Sequence, residues 1–328
     1  MLNEPIDVAI VTGFLGAGKS TLLECWLKGP DWSNTAVIVN ELGAIGIDQH
    51  VLDGAVQGVL LLENGCICCS RQDDLVGQIH DMLGQRARGE IQAFDRLVIE
   101  TTGIADPVPV LYTFLSDPIL ASCFSCPNVI TVVDGTTCVR LLQSQPISIR
   151  QIACADVLIV TRKDKLDPTE IADLNAILGQ QSVAPVLHSS IDDPVTAQRA
   201  FDCMRANERD LETTTEMMAS GAHHHNTPFS FCLQTEASQT SHAINAWIAH
   251  LLKRYGEQLL RMKGVIHVSD EQRTVILQAV GQAFDPPREI NTAQKGTSIV
   301  VILDEHADKS QAEQLFRHLL LERETISA

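Results

Sequence analysis

The segment VAIVTGFLGAGKSTLLECWLK, residues 8–28, decides the fold of this chain of 328 residues. A short apolar run is followed by a glycine-rich stretch and then by a helix-forming sequence. Residues 13–20 fit the pattern G-x-x-x-x-G-K-[ST], in which glycines let backbone N–H groups approach phosphate oxygens without steric conflict. The order of strand, loop and helix therefore predicts a phosphate-binding loop.

This loop supplies the first group of candidate nucleotide-binding residues. The Lys19 ammonium group is expected to reach the β- and γ-phosphates, and the Ser20 hydroxyl is expected to bind Mg²⁺. The positive end of the following helix also attracts an anion. A glycine-rich turn without a ligand is the alternative, and the flanking strand and helix argue against it. The candidate contacts are Gly13, Gly16, Ala17, Gly18, Lys19, Ser20 and Thr21.

A carboxylate is predicted at the end of a second strand, in RLVIETTG, residues 96–103. Glu100 would hold Mg²⁺ or a water bound to it, and the N–H of Gly103 would approach the γ-phosphate. A strand-end Glu near a Gly is common in loops, but the phosphate-binding loop favours the functional interpretation. Lys19 and Glu100 are accordingly candidate catalytic residues.

The segment VLIVTRKD, residues 157–164, indicates recognition of the base. GTPases place [NT]-K-x-D after a strand at this point, and its Asp accepts two hydrogen bonds from guanine N1 and N2. Here Asp164 is present, Thr161 takes the first position and Arg162 takes the Lys position, which is not a neutral exchange. We expect a guanine nucleotide; a solvated charge cluster is the alternative.

Three thiols lie close together in LLENGCICCS, residues 61–70. Cys66, Cys68 and Cys69 are soft ligands suited to Zn²⁺ or Co²⁺. Three thiolates leave a tetrahedral site one ligand short, which suits exchange of the ion, and Glu41 is a candidate fourth ligand. Buried inert cysteines and a redox sensor are the alternatives.

Periodicity along the chain predicts an α/β P-loop domain with a mostly parallel sheet, followed by a smaller α+β domain. The expected organisation is a first domain over residues 1–205, a polar linker over 206–228 and a second domain over 229–328. The predicted strands are residues 7–12, 36–40, 96–100, 129–134, 157–161, 184–188, 229–235, 264–269, 273–280 and 298–303. The predicted helices are residues 19–27, 73–88, 107–115, 149–154, 169–178, 194–204, 241–255 and 311–321.

Charge and composition exclude several classes of partner. The 24 basic and 41 acidic residues give a formal charge of −17, which disfavours nucleic acid and anionic membranes. No apolar run reaches the roughly 18 residues of a membrane helix, and no signal-peptide pattern is present, so we expect a cytoplasmic protein. Most of the ten cysteines are expected to be reduced thiols.

Two further groups of metal-binding residue types carry weaker signals. His223, His224 and His225 lie in the predicted linker, where a polar run without metal is favoured over weak metal loading. Cys123 and Cys126 form a single C-x-x-C, for which structural thiols are favoured over a zinc or redox role.

Taken together, these segments resemble the CobW family of P-loop GTPases, which are relatives of UreG and HypB. The resemblance extends over nearly the whole chain. Two departures are visible: Leu42 and Ala44 stand where the family commonly reads N-E-F-G-E, so one accessory carboxylate is missing, and Thr161 and Arg162 alter the base-recognition motif. The matching segments are residues 13–21, 39–48, 63–69, 98–103, 151–164 and 259–268.

The resemblance implies a GTPase metallochaperone or metal insertase. GTP and Mg²⁺ would order the switch segments, the C-x-C-C thiolates would hold Zn²⁺ or Co²⁺, and hydrolysis would release the ion to a client metalloprotein. Asp48 is the candidate switch carboxylate for Mg²⁺ or the attacking water, with a solvated turn Asp as the alternative. A metal buffer or zinc regulator with incidental GTP turnover is the alternative function.

Overall fold

The apolar run before the glycine-rich loop forms strand β1 (Asp7–Thr12), in the middle of a seven-stranded parallel sheet. The computed structural model describes residues 5–29, 32, 34–39, 59–63, 72–209, 228–235, 238–290, 296–308, 310–312 and 314. The spatial order of the sheet is β3-β2-β4-β1-β5-β6-β7. Its other strands are β2 (Thr35–Val39), β3 (Val59–Glu63), β4 (Arg96–Glu100), β5 (Asn128–Asp134), β6 (Val157–Thr161) and β7 (Val186–His188).

Because neighbouring strands of this sheet are parallel, their carboxyl ends meet at one edge, where α/β proteins bind ligands. The register fixes which residues meet there: Val11 of β1 pairs with Glu100 of β4, and Asp134 of β5 pairs with Thr161 of β6. The three predicted motifs therefore converge on adjacent strands.

Helices connect the strands of this sheet. The connecting helices are α1 (Lys19–Leu27), α2 (Gln72–Arg88), α3 (Pro107–Ser116), α4 (Pro118–Cys123), α5 (Cys138–Ser144), α6 (Pro146–Ala153), α7 (Pro168–Gln181) and α8 (Ala197–Arg209). On one side of the sheet, Trp26 of α1 stacks on Trp32 with ring centroids 5.7 Å apart and packs near Phe201 of α8. The Trp26 indole N–H donates to the carbonyl of Val195 at 2.7 Å, so the polar group of this buried side chain is satisfied.

The chain divides into two compact units, Met1–Leu178 with Ala184–Asn207, and Gly179–Val183 with Glu208–Ala328. The second unit contains an antiparallel sheet in the order β11-β10-β9-β13-β8, with β12 paired to β10, and helix α9 (Ser241–Tyr255). Trp247 of α9 is 1% exposed in its core. The strands are β8 (Phe229–Thr235), β9 (Leu259–Val268), β10 (Arg273–Val280), β11 (Ala283–Phe284), β12 (Arg288–Ile290) and β13 (Thr297–Leu303).

The predicted fold class is confirmed, and several predicted element limits are wrong. Strand β3 was not predicted, because its apolar residues run directly into the thiol segment. The strand expected from residue 264 begins at Leu259: Arg261 and Lys263 interrupt the apolar pattern, but pairing with β10 extends to Met262. The helix expected over 194–204 is Ala197–Arg209, so residues 206–209 of the predicted linker are helical.

Candidate nucleotide-binding site

The phosphate-binding loop begins with a residue that has to be glycine. Gly13 has a φ of 138°, and a Cβ there would lie 2.1 Å from the carbonyl oxygen of Val132 on β5. No other residue fits between the loop and this strand. The loop then closes with a hydrogen bond from the N–H of Ala17 to the carbonyl of Phe14 at 3.1 Å, and Gly18 leads into α1.

Lys19 is the cation at the centre of this loop. Its side chain is 8% exposed, and its Nζ donates to the carbonyl oxygen of Gly13 at 2.9 Å and to that of Phe14 at 3.4 Å. The loop is therefore folded around the ammonium group. Phosphate oxygens can replace these carbonyl oxygens as acceptors. A phosphate oxygen carries more negative charge than a carbonyl oxygen, so its hydrogen bond with the ammonium group is stronger.

Ser20 and Glu100, which the sequence predicts to bind Mg²⁺, lie in hydrogen-bond contact. Ser20 Oγ donates to Glu100 Oε1 at 2.8 Å, and Glu100 is 1% exposed. The contact spans 80 residues of sequence and follows from the adjacency of β1 and β4. A hydroxyl and a carboxylate are hard oxygen donors, so this pair fits the ligand preference of Mg²⁺.

The segment after β4 is held tightly against the phosphate loop. Thr101 Oγ1 donates to Thr12 Oγ1 at 2.9 Å, which joins the ends of β4 and β1. Two residues later, a Cβ on Gly103 would lie 2.5 Å from the backbone nitrogen of Leu15. Gly103 is therefore placed against the loop where a γ-phosphate contact was predicted, and a larger residue would push the two segments apart.

The base-recognition segment also contacts the phosphate loop. Thr161 Oγ1 donates to the carbonyl of Ala17 at 2.8 Å, and Arg162 Nη2 donates to that of Gly16 at 3.3 Å. Asp164 lies exposed in a short 3₁₀ turn, Lys163–Lys165. The structure thus places Thr161 and Arg162 at the loop and leaves the Asp164 carboxylate accessible at the surface. Thr21 is exposed at the start of α1.

Two buried side chains at this edge were missed by the sequence reasoning. Asp134, 6% exposed at the end of β5, forms an ion pair with the guanidinium of Arg162. Gln151 of α6, 1% exposed, donates to the carbonyl oxygens of Gly103 and Ala105. Ligands of α/β proteins bind at the carboxyl ends of the strands, so the position of Asp134 at a strand end could have predicted that it lies in the site. Nothing local to Gln151 indicates its partners.

Burial changes the pKa of two titratable groups near this site. Burial, assisted by the charge of Lys163, lowers the pKa of His188. Burial, assisted by the charge of Asp134, raises the pKa of the Cys138 thiol to about 12. Cys138 is therefore an inert thiol in the folded protein.

Several predicted site residues lie outside the described residues: Glu41, Asp48, Cys66, Cys68, Cys69, His223, His224 and His225. Within the described ranges, no group of three or more His, Cys, Asp or Glu side chains is arranged to hold a metal ion. Neither Cys123, which is partly exposed, nor Cys126, which is buried, takes part in a disulfide among the described residues. For the same part of the chain, no helix is both long enough and apolar enough to cross a membrane.

The parallel sheet, the phosphate loop, Lys19 and the Ser20–Glu100 pair define a P-loop nucleotide-binding protein. The model of the CobW/HypB/UreG nucleotide-binding domain matches residues 7–185, and that of the cobalamin synthesis protein CobW C-terminal domain matches residues 229–320. The chain belongs to the CobW family, as its motifs predicted.

Two curated relatives and one solved structure illustrate the likeness. The zinc chaperone YjiA of Escherichia coli is 31% identical over 285 residues, which cover 85% of this chain and 87% of YjiA. The zinc-regulated GTPase metalloprotein activator 1 of Schizosaccharomyces pombe is 27% identical, over 86% of this chain and 77% of the relative. The crystal structure of Zn(II)-bound YjiA GTPase from E. coli superposes with a TM-score of 0.71 at 24% identity, over 96% of this chain and 99% of that one, which shows the shared fold.

Proposed function

We propose that this chain is a GTPase that binds a transition-metal ion and passes it to a client metalloprotein in a nucleotide-dependent way. The observation that carries the nucleotide part is the 2.8 Å hydrogen bond between Ser20 Oγ and Glu100 Oε1. It joins the phosphate loop to the neighbouring strand end with two oxygen donors suited to Mg²⁺. Membership of the CobW family supports the metal-handling part.

In the proposed hydrolysis, the loop residues bind and orient the triphosphate. Lys19 would exchange its two carbonyl partners for β- and γ-phosphate oxygens, while the backbone N–H groups of residues 13–20 hold the remaining oxygens. Ser20 and Glu100 would hold Mg²⁺, which when bound neutralises charge on the phosphates. Asp48 is proposed to orient the attacking water, and Gly103 to contact the γ-phosphate. Water then displaces GDP from the γ-phosphorus.

Guanine is the proposed base. Thr161 and Arg162 attach the base-recognition segment to the carbonyls of Ala17 and Gly16. That attachment sets the distance between the phosphates and the exposed Asp164, whose carboxylate would accept from guanine N1 and N2. Adenine offers no donors at those positions, so Asp164 would select GTP over ATP.

The cargo ion is proposed to bind Cys66, Cys68 and Cys69, with Glu41 as a fourth ligand. Cys66 follows Glu63 by three residues, and three residues of chain span at most about 11 Å. Glu63 is the last residue of β3, and Glu100 is the last residue of β4, which lies two strands away in the sheet. Two strand spacings correspond to about 10 Å. The thiols are therefore tethered to the sheet edge that carries the phosphate site. Relatives named as zinc chaperones favour zinc over cobalt as the cargo.

Coupling between cargo and nucleotide follows from this tether. If the γ-phosphate orders the segments around it, the affinity of the thiols for metal changes with the nucleotide. The reverse must also hold, because coupling between two binding sites is reciprocal. A client metalloprotein would receive the ion when hydrolysis weakens its binding.

Zinc titration of the full-length protein tests the proposal. We expect different zinc affinities with Mg²⁺-GDP and with a non-hydrolysable GTP analogue, measured by calorimetry. Replacing both Cys66 and Cys68 with Ser should remove tight zinc binding and leave the affinity for GTP unchanged, whereas Cys25→Ser, which removes an exposed thiol on α1, should change neither.

Lys19→Ala should abolish GTP hydrolysis with the fold intact.

The outcomes of this titration separate the two candidate functions. Equal zinc affinity with GDP and with the GTP analogue would contradict delivery and favour a metal buffer whose GTP turnover is incidental. Undiminished turnover in Lys19→Ala would contradict the phosphate assignment.

A further inference from the structure

Helix α6 makes three side-chain hydrogen bonds to the segment that follows β4. Gln151 Nε2 donates to the carbonyl oxygen of Gly103 at 3.3 Å and to that of Ala105 at 2.9 Å. The adjacent Arg150 donates from Nε to Asp106 Oδ2 at 2.9 Å. Two consecutive residues of one helix thus hold both ends of a four-residue stretch.

The amide of Gln151 is itself held in place. The side chain is 1% exposed, and the backbone carbonyl of Gln151 accepts a hydrogen bond from Thr131 Oγ1 on β5 at 2.7 Å. A buried amide that donates to two carbonyls has little freedom to turn away, because each lost bond leaves a buried polar group unsatisfied. Strand β5, which lies next to the central β1, therefore holds α6 in place, and α6 holds the carbonyls of Gly103 and Ala105.

The stretch held by Gln151 faces the phosphate loop on its other side. A Cβ at Gly103 would lie 2.5 Å from the nitrogen of Leu15, so the two backbones are in direct contact. Gly103 lies between the amide of Gln151 and the loop that cradles phosphate. The Gln151 amide therefore constrains the peptide planes that carry the carbonyl groups of Gly103 and Ala105.

We propose that Gln151 is a positioning residue for the γ-phosphate: it holds the Gly103 segment in the geometry in which that segment distinguishes GTP from GDP. This inference rests on the proposed GTPase function and adds a residue that determines how strongly the site distinguishes GTP from GDP. In this role Gln151 acts through the two carbonyl oxygens that it binds, and not through a phosphate contact of its own. Its loss should weaken contacts to the γ-phosphate and spare those to the α- and β-phosphates, which the phosphate loop makes.

Binding of two nucleotides by the full-length protein tests this role. Gln151→Met keeps the length of the side chain and removes the donor. We expect the variant to bind GDP within about twofold of wild type and a non-hydrolysable GTP analogue about tenfold more weakly, with a similar or larger fall in kcat. Gln143→Leu, which removes an exposed glutamine of α5, is the matched control and should change neither affinity.

A purely structural role for Gln151 predicts a different result. Equal weakening of GDP and of the GTP analogue, or no change in either, would overturn the proposal. If Gln151→Met does not fold, Gln151→Asn serves instead, because it keeps a neutral amide but is one methylene shorter, which draws the donor back from both carbonyl oxygens; the same GDP-to-analogue ratio decides the outcome.

Hydrogen exchange on the wild-type protein gives a readout that needs no variant. The peptide covering residues 102–106 should exchange slowly in the nucleotide-free protein, and Ala105 N–H, which donates to Thr102 O at 3.0 Å, should be among the protected amides. Rapid exchange there without nucleotide would show that the Gly103 segment is not held in place, and would overturn the proposal. Absence of GTP hydrolysis by wild type would instead contradict the proposed function and leave the exchange result as an independent test.

Discussion

Single side chains join the phosphate and base segments at the edge of the parallel sheet. Thr161 and Arg162 donate to loop carbonyls, and the guanidinium of Arg162 is held by the buried carboxylate of Asp134. An Arg in place of the usual Lys can make both contacts at once, because its guanidinium presents several donors in a fixed plane. The departure from the common motif is therefore compatible with the role proposed for this segment.

Removal of the Asp164 carboxylate tests base selection at the scale of one residue. Asp164→Ala should erase the preference for GTP over ATP, a loss of about 10- to 100-fold in the ratio of affinities, because two hydrogen bonds to a charged acceptor disappear. Competition binding with both nucleotides measures the ratio. Asp173→Ala, which removes an exposed carboxylate on α7, is the control, and a retained preference in Asp164→Ala would show that another group reads the base.

At the scale of elements, short side-chain contacts fix where helices begin. Asp117 precedes α4 and accepts hydrogen bonds from the N–H groups of Ile119 and Leu120 at 2.9 Å each. His80 of α2 contacts the same carboxylate at 3.1 Å. His80 lies in the middle of α2, so Asp117 ties the middle of α2 to the start of α4.

The pKa of Asp117 gives this contact a pH dependence. Partial burial raises its pKa, but hydrogen bonds from Leu120 N–H, His80 and Ile119 N–H outweigh it, and the pKa lies below its ordinary value. A carboxyl group of this kind stabilises the native state above its ordinary pKa and loses that contribution as pH falls through the folded pKa. The contribution is therefore complete at pH 7 and declines below about pH 4.

Asp117→Ala should lower the free energy of unfolding by about 1 kcal/mol at pH 7, the usual cost of losing a helix cap. The difference from wild type should shrink when urea unfolding is repeated below about pH 4. Asp81→Ala, an exposed carboxylate on α2, should have little effect at either pH. A difference that is equally large at low pH would mean that the charge of Asp117 contributes nothing.

At the scale of the whole molecule, each compact unit contains its own hydrophobic core. The first core includes Trp26 and Trp32 against the parallel sheet, and the second includes Trp247 against the antiparallel sheet. The proposed nucleotide contacts among the described residues all belong to the first unit. Damage to the second core should therefore leave the phosphate site intact.

Trp247→Ala should lower the stability of the second unit by about 3–5 kcal/mol through the cavity it leaves. Urea unfolding followed by circular dichroism measures this loss, and GDP affinity, measured in parallel under native conditions, should stay the same. Trp247→Phe, which leaves a smaller cavity, should be less destabilising. A parallel loss of GDP affinity would show that the second core supports the nucleotide site.

The α/β class, the phosphate loop, the Glu100 strand end and the family could be predicted from the amino-acid sequence, because each depends on residues that are close along the chain. Strand, glycine loop and helix are read from about 20 consecutive residues. A strand that is buried on both faces can be recognised in the sequence as a run rich in Val and Ile. The limits of β9 were mispredicted, because pairing with a neighbouring strand overrode its two basic residues.

The side chains that support the phosphate loop and the Glu100 strand end could not be predicted from the sequence and became visible in the three-dimensional structure. The contacts of Gln151 with Gly103 and of Arg162 with Asp134 span 48 and 28 residues, and nothing in the intervening sequence specifies them. They arise because β4, β1, β5 and β6 lie side by side with their carboxyl ends at one edge. Residues remote in sequence become hydrogen-bond partners only when sheet order and register are set, and those depend on the whole buried core.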